Sequence, residues 1–295
     1  MKTALFMSAK NVILRLRIIA QSLDVERMYT DFYGLSFNPF DKQMVKEKDA
    51  FESEDFREMT ARLEYLKEIR GIGVFTASPG MGKTFALRCF AKGLNPNLYQ
   101  CAYLCLSTVS VQEFYRQLCE ALGLESGFGK SQMFRSIQER LYYLYKEKRQ
   151  PFICILDEAQ YLNSNILRDL KMLMNQKYDS VNCFSLILCG EPYLNHILEK
   201  QVNEVLRQRI VVHYNFHGLT DQEVPDYIRK KIRAAGGSPD IIDTAAISSV
   251  HSYSQGNPRL IDNVMTDAMT IGNQMEKKVI DADVMLAAIN NQTLS

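Results

Sequence analysis

Ala77-Ser-Pro-Gly-Met-Gly-Lys-Thr84 follows the apolar run Ile72-Gly-Val-Phe-Thr76, and a second segment, Phe152-Ile-Cys-Ile-Leu-Asp-Glu158, ends on two carboxylates. Their residue types suit chemistry on a phosphate chain. In the first segment, Ser78, Pro79, Gly80, Met81, Gly82, Lys83 and Thr84, with Phe85 behind them, make a phosphate loop running into a helix. Its backbone N–H groups curl around the β- and γ-phosphates of ATP, Lys83 adds a point charge, and the Thr84 hydroxyl ligates Mg²⁺. In the second, Asp157 holds the Mg²⁺ shell while Glu158 polarises an attacking water. Taken singly, the loop is equally a Gly-rich turn and the acidic pair a solvated strand end. Together, with Asp157 standing 74 residues after Lys83, they point to binding and hydrolysis of a nucleoside triphosphate.

Two hydrophobic patterns must position these residues. The first runs from Glu54 to Phe216, with strands expected at 72–76, 100–106, 152–156, 184–189 and 210–216. Helices are expected between them at 54–69, 84–92, 111–122, 131–148, 166–176 and 193–200. Short apolar strands interleaved with helices imply a five-stranded parallel sheet sandwiched by helices. After His217 the β signal stops. Thr220-Asp-Gln-Glu223 is a capping box, and amphipathic stretches at 221–235, 243–253, 258–271 and 281–290 make a C-terminal all-α domain. The expected division is 1–27 as an N-terminal extension, 28–217 as the nucleotide-binding domain and 218–295 as the helical lid. Met28 could itself be a second start, or Asn11 to Leu23 a short basic amphipathic helix.

The chain has 295 residues, 46% hydrophobic and 23% charged, with 35 basic against 34 acidic residues and a net charge of +1. That balance gives no global pull toward nucleic acid or membrane, so such contact needs local patches. The run Arg229-Lys-Lys-Ile-Arg233 is one such patch, either a solvated helix face or a track for phosphates. Tyr142-Tyr-Leu-Tyr145 has packing spacing rather than that of base-stacking platforms. Seven cysteines form no CxxC pair and suit a reduced, cytoplasmic protein. No apolar run approaches the ~20 residues that span a bilayer, which argues against a membrane anchor. The four histidines lack ligand spacing, leaving Mg²⁺ as the metal expected.

The phosphate loop, Phe32-Tyr-Gly-Leu-Ser-Phe-Asn-Pro-Phe40, Ile155-Leu-Asp-Glu-Ala-Gln-Tyr-Leu162, Leu186-Ile-Leu-Cys-Gly-Glu-Pro-Tyr-Leu194, Leu206-Arg-Gln-Arg-Ile210 and Tyr253-Ser-Gln-Gly-Asn-Pro-Arg-Leu-Ile261 occur in an order that resembles the AAA+ ATPases of the ExeA type. The transposition regulators TnsC, TniB and MuB are close to that type. The resemblance runs from Met28 to about Ile289 and departs at Ala77, where the family has Gly, and at Glu191, where it more often has Gln. By resemblance Glu158 is the catalytic glutamate, Arg209 an arginine finger offered to a neighbouring subunit and Arg259 a lid arginine that senses the γ-phosphate. Without it, Arg207 and Arg209 read sooner as solvated charges at a helix end, and Arg259 is either a first-turn residue pointing at water or a cation calling for an anionic partner. Phe40 is either part of a buried turn or an apolar wall for adenine. The function implied is an ATP-driven switch: a homo-oligomer assembled with ATP on double-stranded DNA that recruits or licenses a transposase or integrase. A secretion-associated ATPase and a STAND-like signalling ATPase are the other readings.

Overall fold

The computed structural model describes residues 27–41, 50–105, 110–127, 129–174 and 182–292. The helix expected at Asn11 to Leu23 lies outside them. Two compact units emerge, one formed by Glu54–His217 and the other by Gly218–Ser295 with the chain before Glu54.

The first unit alternates strand and helix: α1 (Glu54–Ile69), β1 (Ile72–Thr76), α2 (Lys83–Gly93), β2 (Gln100–Cys105), α3 (Val111–Ala121), α4 (Lys130–Lys146), β3 (Phe152–Asp157), α5 (Ser164–Met174), β4 (Phe184–Gly190), α6 (Tyr193–Glu199), α7 (Glu204–Arg207) and β5 (Ile210–Asn215). The five strands form one sheet in the order β2-β3-β4-β1-β5, every neighbouring pair parallel. This order explains the composition of the strands. β1, β3 and β4 are central and buried at every residue, whereas β2 and β5 are edges with exposed positions, which is where Tyr103 and His213 fall.

Successive side chains of a strand point to opposite faces, so each central strand feeds two cores. Val74, Cys154, Leu156, Leu186 and Leu188 pack against α3 to α7 through residues such as Phe114, Ile137, Ile166 and Leu194. Phe75, Ile153, Ile155, Ile187 and Cys189 pack against Leu63 and Leu66 of α1 and Leu87 and Phe90 of α2. Of the tyrosine run on α4, Leu144 is fully buried and Tyr142 and Tyr145 are half-buried. Because all strands run one way, the loops after β1, β3 and β4 emerge along a single edge of the sheet, where open α/β folds place their sites.

The second unit is helical: α8 (Glu223–Ala234), α9 (Thr244–Ser254), α10 (Pro258–Gln274) and α11 (Ala282–Gln292). The capping box that the sequence announces is formed at its first helix. Thr220 N donates to Glu223 Oε2 at 3.1 Å and Glu223 N to Thr220 Oγ1 at 3.2 Å, the reciprocal pair of a capping box. Asp243 and Asn257 cap α9 and α10 with their side chains, the second followed by Pro258 at the start of its helix.

Two expectations need correction in this unit. The stretch after Met28 was expected with the sheet, yet Tyr29, Tyr33, Leu35 and Phe40 are buried among Ile228, Met265 and the other helical core residues. Phe40 is 3% exposed, and the Lys231 ammonium lies 5.5 Å from its ring centre, so in this structure it is a packing residue rather than an open wall for a base. Lys231 in turn is no solvated cation. Its Nζ is 2.7 Å from Asp262 Oδ1, a buried carboxylate that also accepts the Tyr227 hydroxyl at 2.9 Å. Burial, with Asp262 beside it, pushes the Tyr227 hydroxyl well above its ordinary pKa. Arg229, Lys230 and Arg233 remain of the patch, with Lys230 donating to the Ala50 carbonyl at 2.6 Å. Among the described residues no helix is long and apolar enough to cross a membrane.

In the sheet unit, the chain leaving β5 is held by Asp55, 6% exposed, which accepts the Tyr214 hydroxyl at 2.7 Å and the His217 amide at 3.1 Å. Asp55→Ala strands both donors. It should destabilise the protein by about 1–3 kcal/mol, measured as a lowered denaturant midpoint with an unchanged slope.

Candidate nucleotide and magnesium site

The loop after β1 turns through Gly80 at φ 91° and Gly82 at φ 93°, left-handed conformations that only glycine adopts without strain. Those two turns deliver the chain to the N-terminus of α2, where no side chain caps the first amides. Amides pointing outward from a curled loop make an anion cradle. Lys83, 7% exposed, donates from Nζ to the Ala77 carbonyl at 2.6 Å and the Ser78 carbonyl at 3.3 Å, which sets the ammonium inside the curl. Ala77, the departure from the glycine pattern, is buried and donates its amide to the Gly190 carbonyl of β4 at 3.1 Å. The methyl group is accommodated, and the loop root is tied to the neighbouring strand.

Thr84 Oγ1 donates to Asp157 Oδ2 at 2.9 Å, so the loop and the acidic strand end meet as expected. A hydroxyl and a carboxylate this close are hard oxygen donors of the kind Mg²⁺ prefers, and the pair fits that ion. Asp157 is 2% exposed. Beyond Thr84 it accepts the Tyr103 hydroxyl on Oδ2 and the Glu158 amide on Oδ1, the latter at 3.0 Å. Burial and the Asp157 carboxylate together push the Tyr103 hydroxyl above its usual pKa, so it remains a donor at neutral pH. The same causes, with Glu158 adding to them, raise the Cys105 and Cys189 thiols. Thiols held protonated beside the acidic pair are poor nucleophiles.

Glu158 adopts φ 57° and ψ 37°, left-handed for a residue with a side chain. Its Oε2 accepts from Gln160 Nε2 at 2.8 Å, and Gln160 Oε1 accepts the Glu191 amide at 3.1 Å. A second polar group lies nearby. Asn195 on α6 donates from Nδ2 to Thr76 Oγ1 at 3.1 Å and Asn215 Oδ1 at 3.0 Å, and its Oδ1 lies 3.1 Å from His213 Nε2.

Thus Lys83, Thr84, Asp157 and Glu158 converge on one edge of the sheet. Phe85 sits behind the loop, 6.1 Å from Phe56 between ring centres and 5.2 Å from the Arg88 guanidinium. Arg209 immediately precedes β5, whose Ile210 pairs with Ile72 and whose Asn215 pairs with Thr76. It therefore lies at the opposite edge, about 17 Å from the phosphate loop at ~3.3 Å per residue, farther than one side chain reaches. Arg259 lies in the helical unit, exposed in the first turn of α10. Tyr103, Gln160 and Asn195 were missed in the sequence. Gln160 lies inside a quoted segment and Asn195 just past another, but nothing in their spacing reveals partners on other strands.

Comparison with known proteins agrees with this geometry. Residues 67–198 match the family model described as AAA domain. General secretion pathway protein A of Aeromonas hydrophila is 30% identical over 269 residues, covering 88% of this chain and 48% of that protein. The chain thus spans about half the length of this relative. The Aeropyrum pernix ORC2 protein superposes with a TM-score of 0.61 at 15% identity, over 88% of this chain and 72% of that one. The Aeropyrum pernix ORC1 protein in complex with DNA gives 0.54 at 17% identity, over 82% and 66%. Identities this low speak for the fold alone. Sheet order, phosphate loop and acidic strand end together make the fold that of the AAA+ P-loop proteins. The sequence likeness to general secretion pathway protein A extends beyond the AAA domain to most of this chain.

Proposed function

We propose that this protein hydrolyses ATP and uses the cycle as an assembly switch. The contact between Thr84 and Asp157 carries the reading, because it joins the phosphate loop to the acidic strand end in one Mg²⁺-competent pair. Lys83 and the loop amides bind the phosphates, Thr84 and Asp157 hold Mg²⁺, and Glu158 takes a proton from the attacking water. Mg²⁺ neutralises charge that develops on the phosphate oxygens. Lys83→Ala should abolish nucleotide binding, whereas Glu158→Gln should bind normally and lose hydrolysis, since an amide cannot act as a base. Fluorescent-nucleotide titration alongside a phosphate-release assay separates the two. Wild-type turnover by Glu158→Gln would remove Glu158 from the role of base.

Hydrolysis needs an arginine from another subunit, and Arg209 is our choice because its own strand holds it at the far edge of the sheet. Arginine fingers in related reactions contribute about 10³- to 10⁵-fold in rate. Arg259 is retained as the second arginine of the reaction. Arg209→Ala should bind ATP yet hydrolyse poorly, and mixing it with Lys83→Ala should restore part of the activity where intact Arg209 meets intact Lys83. No recovery across mixing ratios, with co-assembly shown by light scattering, argues for action within one subunit or none.

For the output of the switch we propose a homo-oligomer on double-stranded DNA that recruits a transposase or integrase. The exposed Lys230 and Arg233, with half-buried Arg229, are the cations available in the patch, and a protein of like fold is known bound to DNA. The partner rests on the resemblance to transposition regulators. A secretion-associated role is the second reading, favoured by the 30% identity to general secretion pathway protein A. Anisotropy on a labelled duplex decides between them: ATP should give salt-sensitive binding, and ADP or Lys83→Ala much weaker binding. Equal or absent binding in every nucleotide state removes the DNA reading and leaves the protein-directed one.

A further inference from the structure

The backbone of Glu158 is strained, and one side chain holds what the strain presents. A non-glycine residue in the left-handed region costs on the order of 1–3 kcal/mol when its surroundings enforce it. The described residues contain four others, Arg70, Arg149, Gln255 and Glu276, and none of them lies among the site residues. At Glu158 the carboxylate meets the Gln160 amide, whose orientation is fixed by chemistry at both ends. A carboxylate only accepts, so Nε2 must face Glu158, and a backbone N–H only donates, so Oε1 must face Glu191.

Gln160 is itself 8% exposed. Its amide lies over Gly190, where an added Cβ would come 2.4 Å from Gln160 Oε1 and 3.4 Å from the Ala159 and Gln160 amides. A side chain at 190 would push the Gln160 amide out of this position. Three features thus serve one arrangement: the left-handed Glu158, the doubly bonded Gln160 and the bare Cα of Gly190.

We infer that Gln160 is a positioning residue for Glu158, tying the carboxylate to the end of β4 so that one oxygen is held and the other is left for the attacking water. The inference rests on Glu158 being the base. Gln160 makes no contact with phosphate or metal in this account; it acts through Glu158 alone. Misplacing a catalytic group by about 1 Å costs on the order of 10²-fold in rate, so the effect belongs in kcat and not in nucleotide affinity.

The test uses Gln160→Met, which keeps length and volume without the hydrogen bonds, Gly190→Ala, which crowds the amide, and the double variant. Each single change should lower kcat about 10- to 100-fold, with KM and fluorescent-nucleotide affinity within about threefold of wild type. The double variant should be no worse than the poorer single one, since both remove the same contact. Hydrogen exchange supplies a readout independent of turnover: without its acceptor, the Glu191 amide of nucleotide-free Gln160→Met should exchange about tenfold faster. If Gly190→Ala does not fold, Gln160→Met and its exchange rates decide. Folded Gln160→Met with wild-type kcat, losses that multiply in the double variant, or an unchanged Glu191 exchange rate overturns the inference. Glu158→Gln distinguishes this from a wrong base: full turnover there removes the base, whereas its loss beside an active Gln160→Met removes only the positioning role.

Discussion

The site depends on satisfying one buried carboxylate. Asp157 is almost fully withdrawn from water, and a carboxylate in that position is tolerated only where donors replace its hydration. Its donors come from three places in the chain: the Thr84 hydroxyl at the start of α2, the Tyr103 hydroxyl on β2 and the Glu158 amide just beyond β3. Satisfying Asp157 therefore fixes the loop-bearing helix against two adjacent strands. Thr84 and Asp157 are the residues that would hold Mg²⁺, their oxygens already lying side by side.

A similar constraint acts one strand over. β4 lies between β3 and β1, and its end serves both neighbours: the Gly190 carbonyl accepts the Ala77 amide at the root of the phosphate loop, and the Glu191 amide donates to Gln160 beside Glu158. Asn195, a turn later, bonds Thr76 and Asn215 on β1 and β5. The end of β4 and the residue after it are consequently in hydrogen-bond contact with the root of the phosphate loop and with Gln160 beside Glu158. Glu191, the departure from the family's usual Gln, contributes its backbone to this junction, and Gln160 supplies the amide side chain that meets Glu158.

What was legible in the sequence follows from what each signal encodes. Period-two and period-3.6 hydrophobicity report burial, so the five strands and, apart from the four-residue α7, their covering helices emerged within a residue or two, as did the Thr220–Glu223 capping box. The phosphate loop and acidic pair were legible because their chemistry demands particular residues at particular spacing. Strand order is written in neither signal. Tyr103 meets Asp157 only because β2 pairs with β3, and Gln160 meets Glu191 only because β3 pairs with β4. Phe40 and Lys231 illustrate the converse, residue types that also suit ligands being engaged in packing and ion pairing within the helical unit. An aromatic ring beside a proline suits an adenine, yet it suits a helical core equally, and a lysine in a basic run becomes structural once Asp262 is buried within reach.

Parallel strands also separate Arg209 from the phosphate loop of its own chain. Every strand C-terminus contributes to the edge that carries Lys83, Thr84, Asp157 and Glu158, and every strand N-terminus lies at the other. A residue entering β5, such as Arg209, cannot be brought to its own phosphate loop by side-chain rotation, because the length of the strand intervenes. Bringing it there would require unpairing β5 from β1 along the register from Ile72 to Thr76, with loss of the apolar packing that β1 makes on both faces. In the proposed assembly a second copy would supply its Arg209 without that cost. Sheet geometry is thus the reason the proposed role of Arg209 is one between subunits rather than within one.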